Sequence, residues 1–112
     1  MRAEDKILIM HMIESAQSAQ EFLSDKKYQN LQNDKQLAFA VVRALEILGE
    51  AASQITQELR EKYPHVQWRN IVSMRNKLIH AYFDINYKII WSSLKEDIPR
   101  LLQKLKDMKD KK

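Results

Sequence analysis

The chain contains no cysteine, one glycine and two prolines in 112 residues. It has no apolar run long enough to cross a bilayer. The missing cysteine excludes a disulfide scaffold, a thiolate metal site and a cysteine nucleophile. The shortage of glycine and proline argues against a many-turned sheet protein, whereas an all-α chain tolerates it. It also removes the glycine-rich loop that cradles nucleotide phosphates. The apolar run Ile7-Leu8-Ile9-Met10 is short, is surrounded by Glu4, Asp5 and Glu14, and is followed by no small-residue cleavage site. A signal peptide is therefore not expected, and the default is a soluble, cytoplasmic protein with no membrane partner.

The length fits one domain spanning residues 1–112, long enough to bury a core without disulfides. The net charge of +4 is unevenly spread. Residues 1–60 carry 7 Lys/Arg against 9 Asp/Glu, and residues 61–112 carry 12 against 6. A basic second half permits a polyanion partner. The plainer reading of its lysine-rich end, from Lys104 to Lys112, is a solvated helix terminus.

Apolar residues recur at three- and four-residue steps through most of the chain. Ile9, Met12, Ile13, Ala16, Ala19 and Leu23 predict a first helix over residues 3–24. The stretch from Ser24 to Asn30 breaks the period and reads as a loop, after which Asp34 is a suitable N-cap. A stripe from Leu37 through Val41, Ala44, Leu48, Ala51 and Ile55 to Leu59 predicts one long helix from Lys35 to Lys62. The single glycine, Gly49, falls in its middle at a cost of about 1 kcal/mol relative to alanine, which the close approach of another helix backbone would offset. Tyr63-Pro64-His65 ends that helix. A third helix opens at Trp68, and Phe83 to Asn86 forms a turn with Asp84 or Asn86 able to cap the next helix. The last helical stretch runs from Tyr87 to about Met108. Asp97 as N-cap and Pro99 as an early helical residue predict a break near Glu96, giving one kinked helix or two short ones. The expected architecture is all-α, a bundle of four or five helices.

The chemistry concentrates in Met74 to Tyr82. At about 100° per residue, Trp68, Ile71, Val72, Met74, Leu78, Ile79 and Tyr82 share an apolar face. Arg75 projects near the middle of that face. A guanidinium stays charged in a protein, so there it requires a carboxylate or a polar cleft. Glu46 and Glu50, one turn apart, are the candidate partners, across the bundle or from a second subunit. Otherwise they form a solvated face. His80 lies on the flank shared with Arg69, Ser73 and Asn76, and is the side-chain type that titrates near neutrality. His11, His65 and His80 stand on three separate segments, which does not favour a metal site. RNA cleavage needs a base for the 2′-hydroxyl, an acid for the 5′-oxygen and a cation for the phosphate charge, and an imidazole with a guanidinium supplies these. Taken singly, each residue also has a plainer reading: His80 structural, Arg75 ion-paired, Tyr82 in the core.

Arg75-Asn76-Lys77-Leu78-Ile79-His80-Ala81-Tyr82 resembles the Arg-x4-His-x-Tyr signature of the HepT-like branch of HEPN domains, the toxin half of HEPN/MNT toxin–antitoxin pairs. The lead-in Tyr63-Pro64-His65-Val66-Gln67-Trp68-Arg69-Asn70-Ile71 is similar to that family's. So are Glu46-Ile47-Leu48-Gly49-Glu50-Ala51-Ala52 and Glu96-Asp97-Ile98-Pro99, and the resemblance covers nearly the whole chain. It implies an all-α homodimer with both motifs in one cleft, and an endoribonuclease that uses neither metal nor cofactor. It implies that Arg75 stabilises the phosphate, that Asn76 helps position it and that His80 is the acid/base. It further implies a minimal nucleotidyltransferase (MNT) antitoxin as partner, which transfers AMP to Tyr82 and so blocks RNA. Two-fold symmetry beside this helix would double a small cationic site. Trp68 and Phe83 would supply apolar contact area around it. The competing expectations are a non-catalytic helical module that docks such a nucleotidyltransferase, and a structural helical dimer whose Arg75 is merely paired.

Overall fold

A computed structural model describes residues 1–79 and 85–110, and among them every regular element is helical. The first helix, α1, spans Ala3–Phe22. Its predicted apolar positions, from Ile9 to Leu23, are buried. α3, Lys35–Gln54, packs along α1 with Val41, Ala44, Leu45, Leu48, Ala51 and Ala52 buried, and is capped by Asp34, whose carboxylate accepts the Leu37 N–H at 3.2 Å. α5, Trp68–Ile79, lies against the other side of α3. The chain closes with α6, Tyr87–Ser92, a π-helical turn, Ser93–Asp97, and α7, Ile98–Asp110, which returns along α1. Asn86 is the residue that caps α6, accepting the Ile89 N–H at 3.2 Å.

Three local expectations are corrected. The segment read as a loop contains a short helix, α2, Tyr28–Asn33. The Asn30 side chain accepts the Lys27 N–H at 2.8 Å, and Leu31 is its one buried residue, so no apolar period announced it. The single helix expected from Lys35 to Lys62 is two: α3 ends at Gln54, and α4 spans Gln57–Lys62. Thr56 makes the break. Its hydroxyl accepts the Leu59 N–H at 3.2 Å, while its own N–H and hydroxyl donate to the buried carboxylate of Asp5 at 3.2 and 2.6 Å. The Arg60 guanidinium folds back onto the Ala52 carbonyl at 2.8 Å, satisfying an acceptor near the end of α3.

Near Pro99 the stretch divides into α6 and α7, one of the two expected forms, but Asp97 is not the cap that restarts it. The helix widens into the π turn, closed by a bond from the Ile98 N–H to the Ser93 carbonyl. Ile90, Leu94, Ile98 and Leu102 are all buried and stand four residues apart. On a regular helix each such step drifts about 40° round the axis. The wider turn absorbs that drift and keeps all four in the core. Trp68 is also in the core, its ring N–H donating to the Tyr63 carbonyl at 3.1 Å, so it supplies no surface contact area. Phe83 and Asp84 lie outside the described residues.

Candidate active site

The site is built where α3 and α5 touch. Gly49 is buried in α3 directly beneath Arg75 of α5. A methyl group at position 49 would meet Arg75 Cγ at 2.9 Å and Cδ at 3.0 Å, with Cβ nearer still. The close neighbour that the glycine accommodates is therefore the stem of Arg75 from its Cβ outward, which is where α5 comes close to α3. Lying over Gly49, the stem carries its charge to the edge of the contact.

There the guanidinium has two partners. Nη1 donates to Glu50 Oε2 at 2.6 Å, and Nε and Nη2 both donate to Asn76 Oδ1, at 3.3 and 3.0 Å. Of the two candidate carboxylates, Glu50 holds Arg75. Glu46 instead pairs with Arg43 on its own helix at 3.3 Å. A guanidinium has five N–H donors, so two are left without an acceptor among the described residues. The Arg75 side chain is 22% exposed and that of Glu50 59%. A pair this open to water contributes about 0.2–1 kcal/mol, so it orients the arginine more than it stabilises the fold. An incoming anion can displace such a partner.

A groove of about 470 Å³ opens beside the pair, lined by Arg75, Glu50, Glu46, Arg43, Ile47 and His11, among others. His11 on α1 was not anticipated here, because nothing in a single sequence says which face of α1 meets α3. Within one copy the two arginines and two glutamates cancel, so the groove carries no excess positive charge of its own. Among the described residues no group of three or more His, Cys, Asp or Glu could hold a metal ion. Of the predicted site residues, Arg75, Asn76 and Glu50 come together. His80 and Tyr82 lie outside the described residues.

The all-α bundle is of the HEPN type. The chain belongs to the family described as Ribonuclease HepT-like, which it matches over residues 12–108. It is 44% identical over 96 residues to Putative RNase MJ1380 of Methanocaldococcus jannaschii, covering 86% of this chain and 88% of that one. To Probable ribonuclease HepT of Thermococcus cleftensis it is 36% identical over 109 residues, 97% of this chain and 99% of that one. Putative RNase TTE0752 of Caldanaerobacter subterraneus is 38% identical over 101 residues, 90% of each chain. No solved structure matches. No helix among the described residues is long and apolar enough to cross a membrane.

Proposed function

We propose that this protein is an endoribonuclease toxin that cuts RNA without a metal ion, in a cleft shared by two copies. Arg75 is the phosphate clamp. Asn76 fixes the plane of its guanidinium, and His80 moves the protons. With two copies facing each other, one imidazole takes the proton of the 2′-hydroxyl as its oxygen attacks phosphorus. The other protonates the departing 5′-oxygen, leaving a 2′,3′-cyclic phosphate and a 5′-hydroxyl. The two free guanidinium N–H groups meet the charge that grows on the phosphate oxygens.

The observation that carries this reading is the seating of Arg75 over Gly49. An arginine held only for structure needs a carboxylate. It does not need the one glycine of the chain beneath its stem, nor spare donors facing a groove. The dimer is supported by Ile47, 39% exposed on the groove's lining. The partner in this reading is a nucleotidyltransferase antitoxin of the MNT type, acting in the cytoplasm. AMP transfer to the Tyr82 hydroxyl sets a bulky anion beside Arg75 and His80 and keeps RNA out.

Purified protein is expected to cleave RNA in excess chelator, with cyclic-phosphate ends detected by mass spectrometry. His80→Ala and Arg75→Ala each lower the rate at least ~100-fold, the scale of a lost acid/base group or charge clamp. Undiminished cleavage by His80→Ala would refute the assignment. The same spectra of protein co-expressed with the nucleotidyltransferase are expected to carry an AMP adduct on Tyr82.

A further inference from the structure

On the other side of α5, away from Arg75, two openings of about 410 and 240 Å³ adjoin. They share Asn70 and Met74 of α5 and Ser93 and Asp97 of the π turn. Lys77 and Lys88 stand at the first opening, Arg100 and Lys104 at the second. Asp97 is the one acid along this lining, and none of the four cations is paired with a carboxylate among the described residues. Lys104 is held in place by the His65 carbonyl at 3.0 Å. Ser93, only 7% exposed, lines both openings, and its hydroxyl has no hydrogen-bond partner among the described residues.

From this we infer that the channel between α5 and the α6–α7 run is a track for the backbone of single-stranded RNA. The inference deepens the ribonuclease reading and rests on it. Cations at both ends of an elongated channel fit a repeating anion better than a single phosphate. No aromatic side chain among the described residues lines either opening, so this lining holds the strand by its charge rather than by stacking on its bases. It also supplies what the Arg75 groove lacks. The arginines there are neutralised by glutamates, whereas these four charges are not. A helix with its side chains is roughly 10 Å across, so a strand seated on one side of α5 stays within that distance of the clamp on the other.

The test uses Lys88→Ala/Arg100→Ala, two exposed positions outside the proposed catalytic groups. The control is Lys6→Ala/Lys26→Ala, equally exposed and equal in charge lost. Binding is read by fluorescence anisotropy with 2′-O-methyl oligonucleotides of two unrelated sequences, which lack the hydroxyl nucleophile and cannot be cut. Cleavage of ordinary RNA is read separately. The track predicts weaker binding of both sequences by the first variant, and a salt-dependence slope reduced by about 1.4 for two lost phosphate contacts. It predicts a raised KM with kcat unchanged, and a control that behaves as wild type. Equal loss in both variants, no loss in either, or wild-type protein that binds acidic peptide but no oligonucleotide would each overturn it. Wild-type protein that binds through these residues yet cuts nothing would sink the ribonuclease reading and leave the track standing.

Discussion

Gly49 and Arg75 form one steric unit, and its energetics are opposite in sign to ordinary helix propensity. Glycine inside a helix costs about 1 kcal/mol relative to alanine, so Gly49→Ala in open space would stabilise. Here the added methyl strikes Arg75, and overpacking of this kind costs about 1–3 kcal/mol. Gly49→Ala is therefore expected to lower stability, read from urea midpoints, and to lower cleavage by tilting the clamp. The closest atom is Arg75 Cβ, so Arg75→Ala would not relieve the clash, but Arg75→Gly would. In that background Gly49→Ala should gain about 1 kcal/mol. A Gly49→Ala protein more stable than wild type would contradict the packing described. The sequence announced that Gly49 was costly and that Arg75 needed a carboxylate. It left Glu46 and Glu50 equal, because one helical turn separates them and only the three-dimensional offset of α3 and α5 selects between them.

Elements were legible where an apolar stripe ran for several turns, as in α1, α3, α5 and α7. They were not legible where one contact between distant residues decided the outcome. The stripe from Leu37 to Leu59 continues through the α3–α4 break, since Ile55 and Leu59 are both buried. What interrupts the backbone is Asp5, 51 residues away, accepting two hydrogen bonds from Thr56. Asp5→Ala would leave those donors in a buried corner, at a cost of about 1–3 kcal/mol. For a domain of this size each kcal/mol corresponds to about 4–8 °C, so a fall in Tm of roughly 5–20 °C is expected by calorimetry. An unchanged Tm would mean that Thr56 caps α4 without help. The π turn was half legible. Pro99 marked the place, but the four-residue spacing from Ile90 to Leu102 was the cue that the helix widens there.

At the scale of the whole molecule, the α5–α6–α7 side carries four cations with no carboxylate partner among the described residues, while the outer face of α3 shows Phe39, 58% exposed, and Ile47. In the proposed dimer that α3 face meets its symmetry mate and brings two Arg75 grooves together. Phe39→Lys/Ile47→Lys should then sediment as a monomer with unchanged helicity and lose cleavage. A dimeric double variant would move the contact elsewhere. This arrangement was only partly visible beforehand. The basic second half of the chain gave the charge and the apolar period gave the buried side of α5, but not that Lys77, Lys88, Arg100 and Lys104 would line adjoining openings.

The π turn also sets the phase of everything that follows it. Straightening it into a uniform spiral with every residue retained would swing the chain beyond Asp97 by about 100°. Leu102, Leu105 and Met108 would then turn towards water, and Arg100 and Lys104 would leave the channel. Removing one residue between Ser93 and Asp97 would absorb that swing, so the core and the charged rim tolerate a deletion there but not an insertion that the turn cannot take up.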